Sequence, residues 1–224
     1  MPKTVLITGA GGNLGRAVVE RFLADSYQVI ATIRPGSKGN FSNPGVKRVG
    51  IDLTNERAVG KCVDDIAELN AAILLAGGFA MGSLAETDGD ALDKMIRINF
   101  HTAYFAARPV IKKMMNQPLG GRIVLVGSKA ALQPGGKSMV AYDLSKSLLF
   151  RFAEILNAEG ASKNVVTHVV APSIIDTPEN RTSMPDADFT KWVTPQQIAD
   201  VMAFACSEKG SVLRDAILKV YGDS

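Results

Sequence analysis

The amino-acid sequence predicts an α/β fold: a doubly wound parallel sheet of about seven strands with helices on both faces. Short apolar segments rich in β-branched residues alternate with amphipathic helical segments along the whole chain. The connections are mostly short, and right-handed crossovers then make consecutive strands parallel. A glycine-rich turn also joins the first strand directly to the first helix, as in many sheets of this kind.

Each strand is predicted where a short run of residues is mostly apolar, as in the buried strands of a parallel sheet. In chain order, the predicted strands are residues 3–8, 28–33, 46–51, 71–75, 122–126, 164–170 and 216–220. Each helix is predicted where apolar residues recur at helical spacing, as Leu14, Val18 and Phe22 do in the first one. The predicted helices are residues 13–24, 56–69, 91–115, 140–157 and 195–206. The last should begin with Thr194 as its N-cap and Pro195 in its first position.

Two polar segments interrupt this alternation. Residues 34–44 are rich in Gly, Ser and Asn and are predicted to form a loop. Residues 177–192 are long for a connecting loop, and segments of that length are often lids. We expect this segment to close over a substrate, with apolar surface supplied by Met184, Phe189 and Trp192; a packed surface loop is the alternative.

Composition restricts the class of protein. The chain has 224 residues and neither a linker nor a repeat, so a single domain spanning residues 1–224 is expected. The net charge of +3 is dispersed, with no long basic run, which argues against a nucleic-acid partner. No stretch is apolar enough for a membrane span and no signal peptide is apparent, so no membrane association and a cytoplasmic location are expected. Cys62 and Cys206 are far apart and form no metal motif; we interpret them as core thiols and expect no metal.

The glycine-rich turn is a candidate phosphate-binding site. Glycines allow a tight reversal and close backbone approach to a pyrophosphate, and the helix N-terminus favours the anion. Its position between an N-terminal strand and an amphipathic helix strengthens the interpretation. The candidate residues are Gly9, Gly11, Gly12, Asn13, Leu14 and Gly15.

The end of the second predicted strand indicates which dinucleotide binds. Sites that prefer NAD usually carry an acidic residue here, and this chain has none between Ala31 and Val49. Arg34 stands there instead, with Lys38 nearby, and a guanidinium suits a ribose 2′-phosphate. The sequence therefore favours NADP(H) over NAD(H).

Four segments together resemble the short-chain dehydrogenase/reductase family, whose fold is of Rossmann type. They are the glycine turn, Asp52-Leu53, Ala76-Gly77, and the YxxxK motif from Tyr142 to Lys146. Their order along the chain matches the family over nearly its whole length. The resemblance implies an NAD(P)-dependent oxidoreductase.

The resemblance assigns roles to four catalytic residues. Tyr142 would be the general acid/base, and Lys146, four residues along the same helix face, would lower the pKa of the phenol from its usual value of about 10. Ser128 would hydrogen-bond the substrate carbonyl. Asn99 would hold a water molecule in a proton relay.

The same resemblance implies a set of cofactor contacts. Asp52 would bind the adenine amino group, unless it caps the next helix, and Lys146 would also hold the nicotinamide ribose. The remaining implied contacts are Leu53, Ala76, Gly77, Gly78, Tyr142, Pro172, Ile174, Ile175 and Thr177.

Some residues depart from the family pattern. Asn13 replaces a common glycine, Leu75 replaces an asparagine, and Ser173 replaces the glycine that usually follows Pro172. Together with residues 176–192, these departures resemble dihydropteridine reductases, which reduce a quinonoid pterin with NADH but lack the family serine.

Three functional hypotheses follow. The first is hydride transfer between NADP(H) and a small carbonyl or alcohol substrate. The second is reduction of a quinonoid pterin or another C=N compound, and the third is a dinucleotide-sensing protein without turnover. By resemblance to the family, we also expect a homodimer or homotetramer formed through the helices at residues 91–115 and 140–157.

Overall fold

The computed structural model describes residues 2–37, 41–133 and 138–224. Lys38, which the sequence places near Arg34, lies outside the described residues. The strands, numbered in chain order, are β1 Thr4–Thr8, β2 Gln28–Ile33, β3 Val46–Gly50, β4 Ala71–Leu74, β5 Gly121–Val126, β6 Val165–Pro172 and β7 Ile217–Val220. They form a seven-stranded sheet of order β3-β2-β1-β4-β5-β6-β7 in which every neighbouring pair is parallel. The predicted doubly wound sheet is confirmed.

The helices lie close to their predicted positions, with differences at three places. They are α1 Asn13–Ala24, α2 Glu56–Asp64, α3 Gly89–Ile96, α4 Thr102–Met115, α5 Val140–Gly160, α6 Pro178–Ser183 and α7 Pro195–Cys206. Helix α2 ends five residues earlier than predicted, and the polar segment 177–192 contains α6 and a 3-10 turn, Phe189–Lys191. The predicted cap of α7 is confirmed, with Thr194 and Gln197 forming a reciprocal capping box.

The long helix predicted at residues 91–115 is interrupted by a π turn. Residues Arg97–His101 form this turn between α3 and α4. A π turn inserts a residue into the helical ladder, often at a functional site. Asn99 is its central residue and is 1% exposed, so the insertion accompanies a polar side chain that points into the protein.

Alternate residues of each strand face two separate cores. Leu6 of β1 packs in the core beneath α2, α4 and α5. Val5 and Ile7, its neighbours, pack in the core beneath α1 and α7. Cys206 is buried, as predicted, and Cys62 is half-buried against the first core. The sheet is therefore covered on both faces, which explains why its strands are almost continuously apolar.

The strand order sets the position of the binding crevice. From β1 the chain passes first to β2 and β3 on one side, and then to β4 and β5 on the other. In open parallel sheets such a reversal opens a crevice at the carboxyl ends of the strands.

Within the described ranges, no helix has both the length and the apolar character needed to cross a bilayer.

Candidate active site

The turn between β1 and α1 has room only for glycine at two positions. Gly9 has a φ of +64°, in the left-handed region that disfavours side chains. A Cβ on Gly15 would lie 2.3 Å from the backbone oxygen of Gly9 and 2.7 Å from Cα of Ala10. Because both contacts are with backbone, no side-chain rotation could relieve them. The first turn of α1 therefore packs directly against the end of β1.

A cavity of about 790 Å³ opens above this turn at the carboxyl ends of β1 to β4. Its wall includes twelve of the predicted cofactor contacts: Gly9, Gly11, Gly12, Asn13, Leu14, Gly15, Arg34, Asp52, Leu53, Ala76, Gly77 and Gly78. The N-terminus of α1, where the helix dipole is positive, borders the same space. A glycine-rich wall at a helix N-terminus suits a ligand that carries phosphates.

Two charged residues border the cavity at the ends of β2 and β3. Arg34 is exposed at its wall. The Asp52 carboxylate accepts hydrogen bonds from the backbone N–H (2.9 Å) and the hydroxyl (2.8 Å) of Thr54, and these bonds lower its pKa. The cap of α2 is Asn55, which accepts from Ala58, so Asp52 is not the helix cap.

A buried amide fixes the end of β4 beside the cavity. The Asn99 side chain accepts from the N–H of Gly78 (2.8 Å) and donates to the Gly78 carbonyl (3.1 Å) and to Oγ of Ser145 on α5 (2.9 Å). A Cβ on Gly77 would lie 2.5 Å from Asn99 Oδ1 and 3.3 Å from Nζ of Lys146. Gly77 thus lies between the cavity and these two polar side chains. Because it has no side chain of its own, Asn99 and Lys146 can lie close to the cavity wall.

Lys146 lies at the carboxyl end of β5. Its side chain is buried, and Nζ donates to the carbonyl of Val126, the last residue of β5, at 2.8 Å. Burial lowers the pKa of this ammonium to about 8. The Val126 carbonyl therefore holds the ammonium of Lys146 at the carboxyl end of β5, although burial disfavours its positive charge.

Tyr142 meets Ser128 at the same end of the sheet. Ser128 is buried two residues beyond the end of β5; its hydroxyl accepts from the N–H of Ala130 at 3.2 Å and lies close enough to Tyr142 to influence the pKa of the phenol. The sequence predicted a lowered pKa for Tyr142, and this direction is wrong in the structure. Burial raises the pKa of the phenol and outweighs the opposing effect of Ser128.

Besides Tyr142 and Lys146 on α5, four predicted cofactor contacts do not line the cavity. They are Pro172, Ile174, Ile175 and Thr177, in and after β6. Ile174 is exposed, Ile175 is bridged to Val193, and the Thr177 hydroxyl caps α6 by accepting from the N–H of Asn180. This segment nevertheless reaches the glycine turn between β1 and α1, because Asn13 Nδ2 donates to Glu179 Oε2 on α6 at 2.6 Å.

The segment 177–192 is more ordered than the sequence suggested. Arg181 makes a two-point ion pair with Asp176 (2.6 and 2.7 Å) and lies 4.9 Å from the ring centroid of Phe189. Phe189 packs on Trp192 with ring centroids 4.7 Å apart, and Trp192 is buried. The expectation that Trp192 offers free apolar surface is therefore wrong, because this side chain anchors the segment.

Sequence reasoning missed Phe79. Its ring lies edge-to-face on that of Tyr142, with centroids 5.0 Å apart, and the side chain is 59% exposed. The available signal was its place directly after Ala76-Gly77-Gly78, where β4 enters the crevice.

The fold and the glycine-walled crevice are those of a class of protein that binds dinucleotides at the carboxyl ends of its strands. A family model described as short chain dehydrogenase matches residues 3–188. The chain belongs to this family, and is thereby an oxidoreductase of the NAD(P)-dependent class.

Individual relatives are similar over almost their whole length. The cyclic-di-GMP-binding biofilm dispersal mediator protein of Escherichia coli (strain K12) is 28% identical, with 98% of this chain and 96% of the relative covered. Acetoacetyl-CoA reductase of Acinetobacter sp. (strain RA3849) is 26% identical, with coverage of 98% and 96%. A solved structure of ElxO with NADP bound is 25% identical with a TM-score of 0.90, covering 99% of this chain and 98% of that one. The structure of BdcA in complex with NADPH is 28% identical with a TM-score of 0.85, covering 99% and 93%.

Proposed function

We propose that this protein transfers a hydride between NADP(H) and a small carbonyl or alcohol substrate, with Tyr142 as the general acid/base. One observation carries the proposal: the neighbouring side chains of Ser128 and Tyr142 lie at the same end of β5 as the buried ammonium of Lys146. Gly77, which lines the cofactor-sized cavity, is a close neighbour of that ammonium: a Cβ on it would lie 3.3 Å from Nζ. A proton donor, a polarising hydroxyl and a cofactor groove thus meet at one edge of the sheet.

The cavity residues fit a phosphorylated dinucleotide. The glycine turn would hold the pyrophosphate, Arg34 would pair with a 2′-phosphate, and Asp52 would accept from the adenine amino group. When bound, the nicotinamide would supply or accept the hydride. Two similar solved structures carry NADP or NADPH, which supports the choice of NADP(H).

Side chains of this protein would bind the substrate oxygen and move the proton. The hydroxyls of Ser128 and Tyr142 would both contact the substrate oxygen, and Tyr142 would donate or accept its proton. Lys146, held by the Val126 carbonyl, would orient the ribose. Asn99 would position the backbone at Gly78 and one end of a water chain that restores the proton.

The segment 177–192 would act as a lid. Its hydrogen bond from Asn13 to Glu179 joins it to the phosphate-binding turn across the groove. Closure there would exclude water from the reacting atoms. Met184 and Phe189 are half-buried and remain the apolar side chains available to face a substrate.

A second candidate is a dinucleotide-sensing protein without turnover. It is favoured by the similarity to a protein described as binding cyclic-di-GMP. The buried catalytic set of Asn99, Ser128 and Lys146 favours the enzyme instead. Reduction of a quinonoid pterin stays a prediction from the sequence, since none of the relatives named above is described as a pterin reductase.

We further propose a homo-oligomer that buries the outer faces of α4 and α5. Four apolar side chains are exposed there: Tyr104, Leu144, Leu148 and Ile155. Sedimentation should show a dimer or tetramer, and a monomer at all concentrations would contradict this.

Calorimetry with NADPH and NADH in parallel tests the function, followed by a panel of ketones, aldehydes and a dihydropterin with the preferred cofactor. We expect tighter binding of NADPH and oxidation of NADPH by carbonyl compounds. Reduction of the dihydropterin alone would favour the pterin alternative. Binding of NADPH without turnover of any compound would favour the sensor.

A further inference from the structure

We propose that Phe79 determines substrate choice and selects carbonyl compounds in which a flat aromatic or conjugated group adjoins the carbonyl carbon. The inference rests on the proposed function, because it takes Tyr142 as the group that contacts the substrate oxygen.

The ring of Phe79 lies with its centroid 5.0 Å from that of Tyr142, and the two ring planes make an angle of 70°. Phe79 is therefore a direct neighbour of the proposed proton donor. In the proposed substrate pose, the part of the substrate next to the carbonyl lies alongside Phe79.

The backbone on both sides of Phe79 is held in place by hydrogen bonds. The preceding residue, Gly78, has its N–H and its carbonyl bonded to the buried Asn99 side chain. On the other side, Gly82 donates to the Ser138 carbonyl (2.7 Å) and accepts from the N–H of Val140 (3.1 Å). The chain is thus held at both ends of residues 79–81, so a ligand that packs on Phe79 meets a surface that is already in place.

Much of the Phe79 ring is left uncovered by the protein. Phe79 is 59% exposed and Met81 is 66% exposed, although both lie in the segment that follows β4 into the crevice. Because one edge-to-face contact of Phe79 is already made with Tyr142, a flat ligand can complete a second aromatic contact with it. Such contacts have specific geometry and favour aromatic partners beyond what apolar area alone gives. A saturated ring of similar size gains the apolar area but not the aromatic contact.

The test compares two ketones with the same carbon skeleton, acetophenone and cyclohexyl methyl ketone. The measured quantity is the ratio of their kcat/KM values with NADPH, so that the inherent reactivities of the two ketones cancel between variants. We expect Phe79→Leu to lower the acetophenone-to-cyclohexyl ratio by about twofold to tenfold. Phe204→Leu, which removes another half-exposed phenyl ring on α7, is the matched control and should leave the ratio unchanged.

The results separate this inference from the proposed function. An unchanged ratio in Phe79→Leu, or an equal change in Phe204→Leu, would overturn the role of Phe79 while leaving carbonyl reduction intact. If the parent protein reduces neither ketone, the proposed function fails in that form, and the affinity of each ketone for the NADPH-loaded protein is measured by calorimetry instead. The same fall in the affinity ratio would still support the role of Phe79, whereas no change, or no binding, would overturn it.

Discussion

The two halves of the crevice are built in different ways. The half above β1 to β3 is shaped by backbone, with Gly9 in a left-handed conformation and Gly15 packed directly on the end of β1. The half beyond β4 is shaped by side chains, among them Tyr142, the buried Lys146 and the half-exposed Phe79. A binding site for a constant cofactor can be fixed by the main chain. A site for a particular substrate depends on side chains that another sequence would replace.

The largest effect on stability is expected at Lys146, on the side-chain half. Its pKa in the folded protein is about 8, below the usual 10.5, so the unfolded chain binds more protons between these values. The contribution of Lys146 to the free energy of unfolding should therefore rise with pH from 8 to 10.5, by up to about 3 kcal/mol. Lys146→Met should abolish this rise, as measured by urea denaturation across that range.

Lys113→Met is the matched control for this experiment. Lys113 also donates to a backbone carbonyl, that of Ile66 at 2.6 Å, but from a half-buried position. A parent protein and a Lys146→Met variant whose stabilities change in parallel with pH would contradict the account of a charge buried for function.

On the backbone half, Gly15→Ala should destabilise the protein. The new Cβ overlaps backbone atoms at 2.3 and 2.7 Å, and overpacking of this kind typically costs about 1–3 kcal/mol. The distortion should also weaken NADPH binding, since the same turn lines the cavity. Thermal unfolding and calorimetry would measure the two effects.

Gly60→Ala provides the opposite case. Gly60 lies within α2, and a Cβ there meets no atom within 4 Å. Alanine should stabilise the helix by up to about 1 kcal/mol. Equal effects at Gly15 and Gly60 would show that the close contact at Gly15 is unimportant.

The next effect concerns the choice between cofactors. Arg34→Gln should reduce the preference for NADPH over NADH about tenfold, because a charge-assisted contact to the 2′-phosphate is lost. The ratio of the two dissociation constants measures this directly. Arg151→Gln removes a comparable exposed cation from α5, and a similar change there would show a general charge effect instead.

The smallest effect joins the two halves. Asn13 and Glu179 form an exposed hydrogen bond between the phosphate-binding turn and α6, so its loss should speed NADPH release by only about twofold to fivefold. Stopped-flow measurements on Asn13→Ala, Glu179→Ala and the double variant would form a double-mutant cycle. The double variant should behave like either single one. Fully additive effects would mean that the two residues are not coupled during release.

The sequence predicted the backbone half well and the other half poorly, for physical reasons. A parallel sheet needs apolar strands, and a tight turn between a strand and a helix needs glycine. Both features can be recognised in short stretches of sequence. The π turn at Asn99 depends on contacts with Gly78 and Ser145, which lie far away in the chain. The raised pKa of Tyr142 depends on burial, which spacing along a helix does not report.

The long polar segment shows the same limit. Its composition indicated a loop, but ion pairing of Arg181 with Asp176 and burial of Trp192 give it regular turns. Such contacts form only in the folded chain, so local composition does not predict them. Helix α7, by contrast, was predicted with its cap because Thr194, Pro195 and Gln197 are neighbours in sequence.

The most direct test of the account is the turnover of Tyr142→Phe with NADPH and a reducible carbonyl, measured beside its affinity for NADPH. Tyr27→Phe, which removes the hydroxyl of another largely buried tyrosine packed on Phe22, serves as the control. We predict that kcat falls by about 10²–10⁴-fold in Tyr142→Phe, with NADPH affinity retained and the control unaffected. Retention of full kcat in Tyr142→Phe would contradict the assignment of this phenol as the proton donor.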